Sequence, residues 1–443
     1  MGSSEQTGWG RYPRRPGPMV SPRNEAEVRA LIGQRGLIAR GNGRAYGDSA
    51  MGSAATVDMR KLNRMLDFDG DTGQLIAEAG VILGDIIEAF LPRGWFPYVT
   101  PGTKYVSIGG AIAADVHGKN HHRDGSFGSF VDWIDIMGAD GQVTRVSRTS
   151  HPKIFDWTIG GMGLTGVILR AAIRLRAVKS AWIKQKTIAA PNLDAAMNEF
   201  EQARDATYSV AWIDCLASGK VLGRSLVMLG EHADAEDVPR AYRQRPLEIP
   251  QRRKKRIPFD APAAALNSLT VKAFNALYWR KGQRSAGETL VDWDSYFYPL
   301  DAILGWNRIY GRRGFVQFQC VLPLATSRAG LTALLTETAT ARQGSFLAVL
   351  KRFGDQRSRF SFPMEGYTLA LDFPANERTL ALMDKLDAIT LAHEGRFYLA
   401  KDARLSTTTF HRSDPRAATF AKMRHDSGLD RQFASAQSER LLV

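Results

Sequence analysis

Apolar residues recur along this chain at two spacings, and the switches between them mark the elements. Ser21-Pro-Arg-Asn-Glu-Ala-Glu-Val-Arg-Ala-Leu-Ile-Gly33 opens with a capping residue, an early proline and early acids, and predicts a short helix. Leu37-Ile-Ala-Arg40 predicts a strand, as do Val57-Asp-Met59 and Gln74-Leu-Ile-Ala-Glu78. Ile82 to Leu91 has helical spacing and stops at Pro92-Arg-Gly94. Trp133 to Met137 and Val143 to Val146 flank Asp140-Gly141 and predict a β-hairpin. After about Arg176 the texture changes. Alternating strands are expected at Tyr208–Asp214, Phe315–Leu322, Phe346–Lys351 and Tyr367–Phe373, with helices over Ser327–Glu337 and Asn376–Ala392. Helices beside an antiparallel sheet predict a separate α+β unit. A basic and aromatic segment, Arg396 to Arg404, leads into helical sequence running to Val443.

Three glycine-rich passages interrupt this pattern. Gly41-Asn-Gly-Arg-Ala-Tyr-Gly-Asp48 follows the strand at 37–40, with Arg40 before it and Arg44 within it. Successive backbone N–H groups in such a loop form an anion-binding nest, and arginines add charge, so a pyrophosphate is a natural guest. The strand–GxGxxG–helix spacing of a Rossmann unit is missing. Pro101 to Ala114 is a run of small residues that allows close approach of a flat ligand, and it ends in Asp115, His117, Lys119, Asn120, His121 and His122. Phe155 to Leu169 is the third passage. Each can equally be plain element packing or a hairpin turn.

With 443 residues, 44% hydrophobic and 23% charged, the chain is long enough for two to three domains with a large core. Its net charge of +14, from 59 basic and 45 acidic residues, predicts attraction to something anionic. Gln251-Arg-Arg-Lys-Lys-Arg256 concentrates that charge beside apolar Ala261 to Leu269 and Val271 to Trp279, a combination suited to an anionic membrane surface or to a solvated mobile loop. No nucleic-acid reader motif accompanies it. Cys215 and Cys320 stand in apolar runs without metal or redox spacing and read as buried thiols, so no disulfide framework and no metal site are expected. No signal core and no apolar run long enough for a bilayer occur, and Gln6 breaks the myristoylation pattern. A cytoplasmic or peripherally membrane-associated protein is expected.

Several strings together carry a resemblance: Gly8-Trp-Gly10, Ala39 to Asp48, Pro101-Gly-Thr103, Gly109-Gly-Ala-Ile-Ala113, His117-Gly-Lys-Asn-His-His122, Ser126-Phe-Gly128, Gly163-Leu-Thr-Gly166, Tyr298-Pro-Leu-Asp301, Trp306-Asn-Arg308 and Tyr398-Leu-Ala-Lys-Asp402. They span nearly the whole chain, and the histidine string is the most specific. The sequence resembles the vanillyl-alcohol-oxidase class of FAD-dependent oxidoreductases, in particular members that oxidise polyprenyl-phosphate-linked pentoses. The resemblance implies a two-domain α+β fold. A PCMH-type FAD-binding domain would comprise residues 1–178, with 396–443 returning to it, and an antiparallel-sheet substrate domain would comprise 179–395, with a mobile basic loop near 240–285. It implies that Arg40, Gly41, Asn42, Gly43, Arg44, Ala45, Tyr46, Gly47, Asp48 and Ser49 wrap the pyrophosphate and nearby flavin. Gly102, Ser107, Ile108, Gly109, Gly110, Ala114, His117, His121, Gly163, Ile168 and Tyr398 would line FAD. Arg44 stands where many of the class carry a flavin-linking histidine, which implies noncovalent FAD.

The implied reaction takes hydride and proton from the 2-hydroxyl carbon of a polyprenylphosphoryl ribose, leaving a 2-keto sugar. A separate short-chain reductase would then complete epimerisation to the arabinose form. Lys401 is expected at the pyrimidine edge of the flavin, with Tyr46 and His117 handling a proton or orienting the sugar. Gln317 and Gln319, alternating on one strand, would project amides into the pocket. Lys119 and Lys351 would hold a phosphate or sugar oxygen, and Trp212 and Tyr298 complete the substrate set. Ala370 replaces the cysteine that nitroaromatic inhibitors trap in related enzymes, and Thr368 replaces an asparagine. Two other readings stay open: a soluble sugar, alditol or aldonolactone oxidase, and a flavin-free membrane-surface binding protein.

Overall fold

A computed structural model describes residues 3–262, 267–345 and 347–443. Phe346, part of the apolar stretch from Ala261, and the Met1-Gly2 start of the acylation pattern therefore lie outside the described residues.

The first 180 residues build two sheets. One holds Ser3–Thr7, Arg14–Val20, Ala55–Asp58 and Leu37–Arg40 in that spatial order, with the last two pairings parallel. The other is antiparallel, in the order Met65–Asp69, Gln74–Glu78, Val167–Ala177, Val131–Met137, Val143–Ser147. The expected hairpin is its edge, where Ile134 faces Val146. The helix Leu83–Phe90 buries Ile86, Ile87 and Phe90 on this sheet, one stripe at helical spacing.

The third sheet has eight strands, all drawn from residues 182–397. At its centre Phe315–Pro323 pairs with Gly366–Pro374, which pairs with Val349–Phe353. Side chains alternate across a strand, so the two faces separate by parity. Val316, Phe318, Cys320, Leu322, Leu369, Leu371 and Phe373 pack on the helices Leu324–Thr340 and Glu377–Ala392. Gln317, Gln319, Val349, Lys351, Ala370 and Asp372 take the opposite face and line a cavity. Cys215 and Cys320 are buried, and burial pushes both thiols up to about 12.

The stretch expected as a mobile basic loop near 240–285 holds a 17-residue helix, Ser268–Arg284. Asn267 caps it, and Val271, Asn275 and Trp279, spaced by one turn, give it a buried face. The final segment folds back on the start of the chain: Ala434 N–H donates to Leu37 O, and Arg440 bridges Asp48 and Asp402 at 2.8 and 2.9 Å.

Candidate functional site

One cavity of about 300 Å³ lies between the first two sheets and the polar face of the third. That is the lower end of the range in which small-molecule sites fall, roughly 300–1,000 Å³. Its floor is the loop 40–47 with Ser49, and Gly102, Ser107, Gly109, Gly110, Ala114, Gly163 and Ile168 supply the wall. His117, Tyr398 and Lys401 close one end.

The loop is shaped from several sides. Gly43 has φ +62°, a conformation that glycine adopts at little cost. A Cβ there would overlap the Arg40 guanidinium, which donates to Thr7 O at 2.7 Å. Arg40 is thereby committed to the loop. A Cβ on Gly41 would run into Ser107 Oγ, and one on Gly47 into the carbonyl of Asp402. Trp9 N–H donates to Ala45 O, Gly10 N–H to Tyr46 O, and Tyr46 N–H to Ala400 O. Segments from the start and end of the chain therefore hold the same loop.

Charge is concentrated at the closed end. Lys401 is half-buried, with Nζ 3.6 Å from the centroid of the Tyr46 ring. Burial lowers its pKa; the Asp372 carboxylate opposes that shift and Lys351 adds to it. Asp372 is raised by burial and accepts a hydrogen bond from Gln317 Nε2. Lys351 is lowered to about 8 by burial. Burial also pushes the Tyr46 phenol well above its ordinary value. His117 is held well below its ordinary value by burial and then by Lys351, His121 and Lys401, so its ring is neutral at physiological pH. Its Nε2 lies 3.1 Å from Gln319 Nε2, and Gln319 also donates to Thr368 Oγ1.

The expected polar cluster after Ala114 separates. Only His117 reaches the cavity. Asp115 is saturated by Ser126, Gly128 N–H and Gln356. Asn120 donates to Tyr98 O, His121 pairs with Gln356 at 2.7 Å, and His122 pairs with Ala206 O. Lys119 reaches Tyr296 O and lies over the Tyr296 ring. Other expected residues also stand outside the cavity wall. Ile108 points into the core of the antiparallel sheet. Asp48 is an ion-pair partner of Arg440. Trp212 packs with Leu226 and Trp279, and Tyr298 packs among Trp293 and Phe297. An aromatic residue reads the same in sequence whether it faces a core or a cavity.

Conversely, Trp9, Trp306, Leu347 and Asp372 line the cavity without having been anticipated. Asp372 was within reach of the same alternation that places Gln317 and Gln319: its register partner is Gln317, and Ala370 lies opposite Gln319.

The residues fit FAD. Glycines and alanines leave room for a flat ring, and the buried Arg44 Nε, His117 Nδ1 and Gln317 Oε1 have no hydrogen-bond partner in the protein. Buried polar atoms are normally satisfied, so three orphans around one cavity point to a polar guest. The Arg44 guanidinium lies 4.1 Å from the centroid of Trp9 and 5.0 Å from that of Tyr105, and an arginine side chain forms no covalent flavin link.

Comparison with known proteins agrees. The FAD binding domain family matches residues 16–147. The chain is 34% identical to decaprenylphosphoryl-β-D-ribose oxidase of Mycolicibacterium smegmatis, over 98% of this chain and 96% of the relative. It is 32% identical to an uncharacterized protein of Streptomyces coelicolor, over 82% of this chain and all of that one. Mouse L-gulonolactone oxidase is 28% identical over 33% of this chain and 34% of its own length. From the near-complete coverage at this identity, and from the matched FAD binding domain, the chain belongs to the decaprenylphosphoryl-β-D-ribose oxidase family of FAD-binding oxidoreductases.

Proposed function

We propose that the protein oxidises the 2-hydroxyl of a polyprenylphosphoryl-β-D-ribose to the 2-keto sugar, using noncovalently bound FAD. A separate reductase would then complete epimerisation to the arabinose form, and the enzyme would work in solution or at a membrane surface that holds its lipid-borne substrate. The observation that carries this reading is a cavity in which a glycine-walled floor meets Lys401, Lys351, His117 and two glutamines. Residues 1–178 with 396–443 form the cofactor-binding half in this proposal, and 179–395 the substrate half.

The loop 41–47 and Ser107, Gly109 and Gly110 hold the cofactor, with Arg44 available to its phosphates. When bound, FAD supplies the acceptor for the hydride on the alcohol carbon. His117 takes the hydroxyl proton on its imidazole once the substrate hydroxyl replaces the Gln319 N–H at Nε2. It suits this role because its surroundings keep it neutral and it need not lose a proton first. Gln319 orients the imidazole and the sugar. Lys401 in its protonated form stabilises the negative charge that builds up beside it as hydride leaves the substrate. Lys351 holds a sugar or phosphate oxygen. The neutral Tyr46 phenol carries the Lys401 ammonium on its ring face.

Anaerobic mixing of the FAD-loaded protein with a polyprenylphosphoryl ribose tests the reading. Rapid bleaching of the flavin absorbance and formation of the 2-keto sugar are expected. Turnover of free pentoses or lactones with peroxide release, and none of the lipid-linked sugar, would replace it with the soluble-oxidase reading.

A further inference from the structure

The helix Ser268–Arg284 has two apolar faces, and the fold uses one. Val271 and Trp279 face inward with Asn275, whose Nδ2 donates to the buried Asp214 at 2.7 Å. Gly282 lies so close to Leu226 that a Cβ would overlap it. Leu269, Ala273 and Leu277 follow each other one turn apart on the outer side, and Leu269 and Leu277 are 77% and 67% exposed. Tyr278, 38% exposed, lies at the edge of the inner face, with its ring centroid 4.8 Å from that of Trp212. Five of the nine large apolar side chains exposed among the described residues lie between Phe259 and Tyr278. Scattered exposed leucines need no explanation, but such a concentration marks a contact surface.

Charge decides what it contacts. The helix carries Lys272, Arg280, Lys281 and Arg284, all exposed, and no acid. The run Arg252 to Arg256 just before it is exposed throughout. Residues 251–284 thus hold nine basic side chains and one acid, Asp260, which is paired with Arg11 at 2.6 Å. A second copy of this chain, itself at +14, is a poor match for such a surface. Leucines flanked by lysine and arginine match the boundary between acyl chains and anionic headgroups.

This surface adjoins the cavity by two routes. Lys254 Nζ donates to Tyr105 OH at 2.7 Å, and the Tyr105 ring carries the cavity-lining Arg44. Val271 packs against Gly344, near the cavity-lining Leu347. Main-chain pairing of Lys255–Arg256 with Ile303–Leu304 fixes the basic run, and Arg308 donates to Pro258 O.

We propose that the outer face of the 268–284 helix and the 252–256 run seat the protein on an anionic lipid bilayer, with the leucines at the acyl boundary and the cavity beside the lipid surface. This deepens the substrate reading, since a polyprenyl phosphate is itself held in a bilayer. The test uses full-length, FAD-loaded protein sedimented with vesicles of equal phosphatidylglycerol and phosphatidylcholine, or of phosphatidylcholine alone. Binding to the anionic vesicles only, weakened by salt, is expected. Each neutralised cation near the surface is expected to cost roughly fivefold, so R253Q/K255Q/R256Q is expected to weaken partition about a hundredfold. L269D/L277D abolishes it. Both variants keep the flavin spectrum and wild-type turnover of a water-soluble, short-chain phosphoryl ribose. Vesicle binding that is absent, or unchanged in both variants, overturns the proposal, as does self-association lost in L269D/L277D without any vesicle binding. Failure to oxidise the short-chain sugar would sink the substrate reading and leave vesicle binding as a separate result.

Discussion

Asp372→Asn is the sharpest probe of the proposed chemistry. The wild-type carboxylate is the one group that raises the proton affinity of Lys401, against burial and the repulsion of Lys351. The amide keeps the shape and can still meet Gln317, but it carries no charge. An opposite charge nearby supports a buried cation by roughly 1–3 pKa units, so its removal is expected to lower the Lys401 pKa by about 1–2 units. If protonated Lys401 is the active form, kcat/KM falls as pH rises through its pKa. The alkaline limb of the variant then moves down by those 1–2 units. On that limb the protonated fraction drops tenfold per unit, so the variant is expected to be about 10–100-fold slower there. Lowering the pH restores most of the rate, which a merely misfolded variant would not show. The assay is the rate of anaerobic flavin bleaching as a function of pH, with FAD content checked by absorbance. An alkaline limb at the wild-type pH in Asp372→Asn would refute the coupling of the two residues, and a limb moved upward would refute the sign.

Four further outcomes are expected. His117→Gln keeps FAD and loses roughly 10²–10³-fold in kcat, the ordinary worth of a positioned acid–base group; a loss under threefold would remove His117 from proton transfer. Gly47→Ala drives a Cβ into the Asp402 carbonyl, so a loss of about 2–3 kcal/mol in stability, with reduced FAD content, is expected from urea unfolding and absorbance. Nitroaromatic inhibitors form no covalent adduct at Ala370 but do at Ala370→Cys, since residue 370 lines the cavity; intact-mass spectrometry reads both. His232 is half-buried, and desolvation, with the nearby Arg176, lowers it to about 3 from 6.5, so the unfolded chain binds more protons below pH 6.5 and stability falls as pH drops. Between pH 6.5 and 4 this group accounts for about 3 kcal/mol, and His232→Gln flattens the pH dependence of urea unfolding by that amount.

Much of the architecture was legible because parity and helical spacing survive folding. The strands at 315–323 and 366–374 follow their alternation, and the same alternation sends Gln317 and Gln319 to the cavity. Asp372 obeys the rule as well, yet a lone acid in an apolar strand gives no sign that its partner will be a lysine 29 residues further on. Trp212 and Tyr298, which the resemblance implies as substrate residues, pack against Trp279 and Trp293 in cores, and no local pattern in the sequence distinguishes the two settings. The polar string 115–122 looked like one constellation, but consecutive residues in a tight turn point in different directions. Asp115, with φ +40°, turns its carboxylate toward Ser126 and Gly128, and only His117 faces the cavity.

The fate of Asp48 and Asp402 explains why the two ends of the chain must meet. Lys401 invites the reading that it pairs with Asp402 at the surface. Instead Asp402 turns the other way: it accepts from the backbone N–H groups of Arg404 and Leu405, from Gln437 and from Arg440. Arg440 in turn holds Asp48, directly after the glycine loop. One guanidinium from the last helix therefore locks together the loop that carries Tyr46 and the turn that carries Lys401. Tyr46 N–H donates to Ala400 O along the same seam. With backbone and arginine fixing both sides, the Lys401 ammonium needs no surface carboxylate and is free to sit on the Tyr46 ring, facing the cavity. A cation held this way is costly to desolvate, and Asp372 on the third sheet supplies the compensating charge. The site is thus assembled from three distant pieces of chain, and the ion pairs outside the cavity set the geometry of the charges inside it.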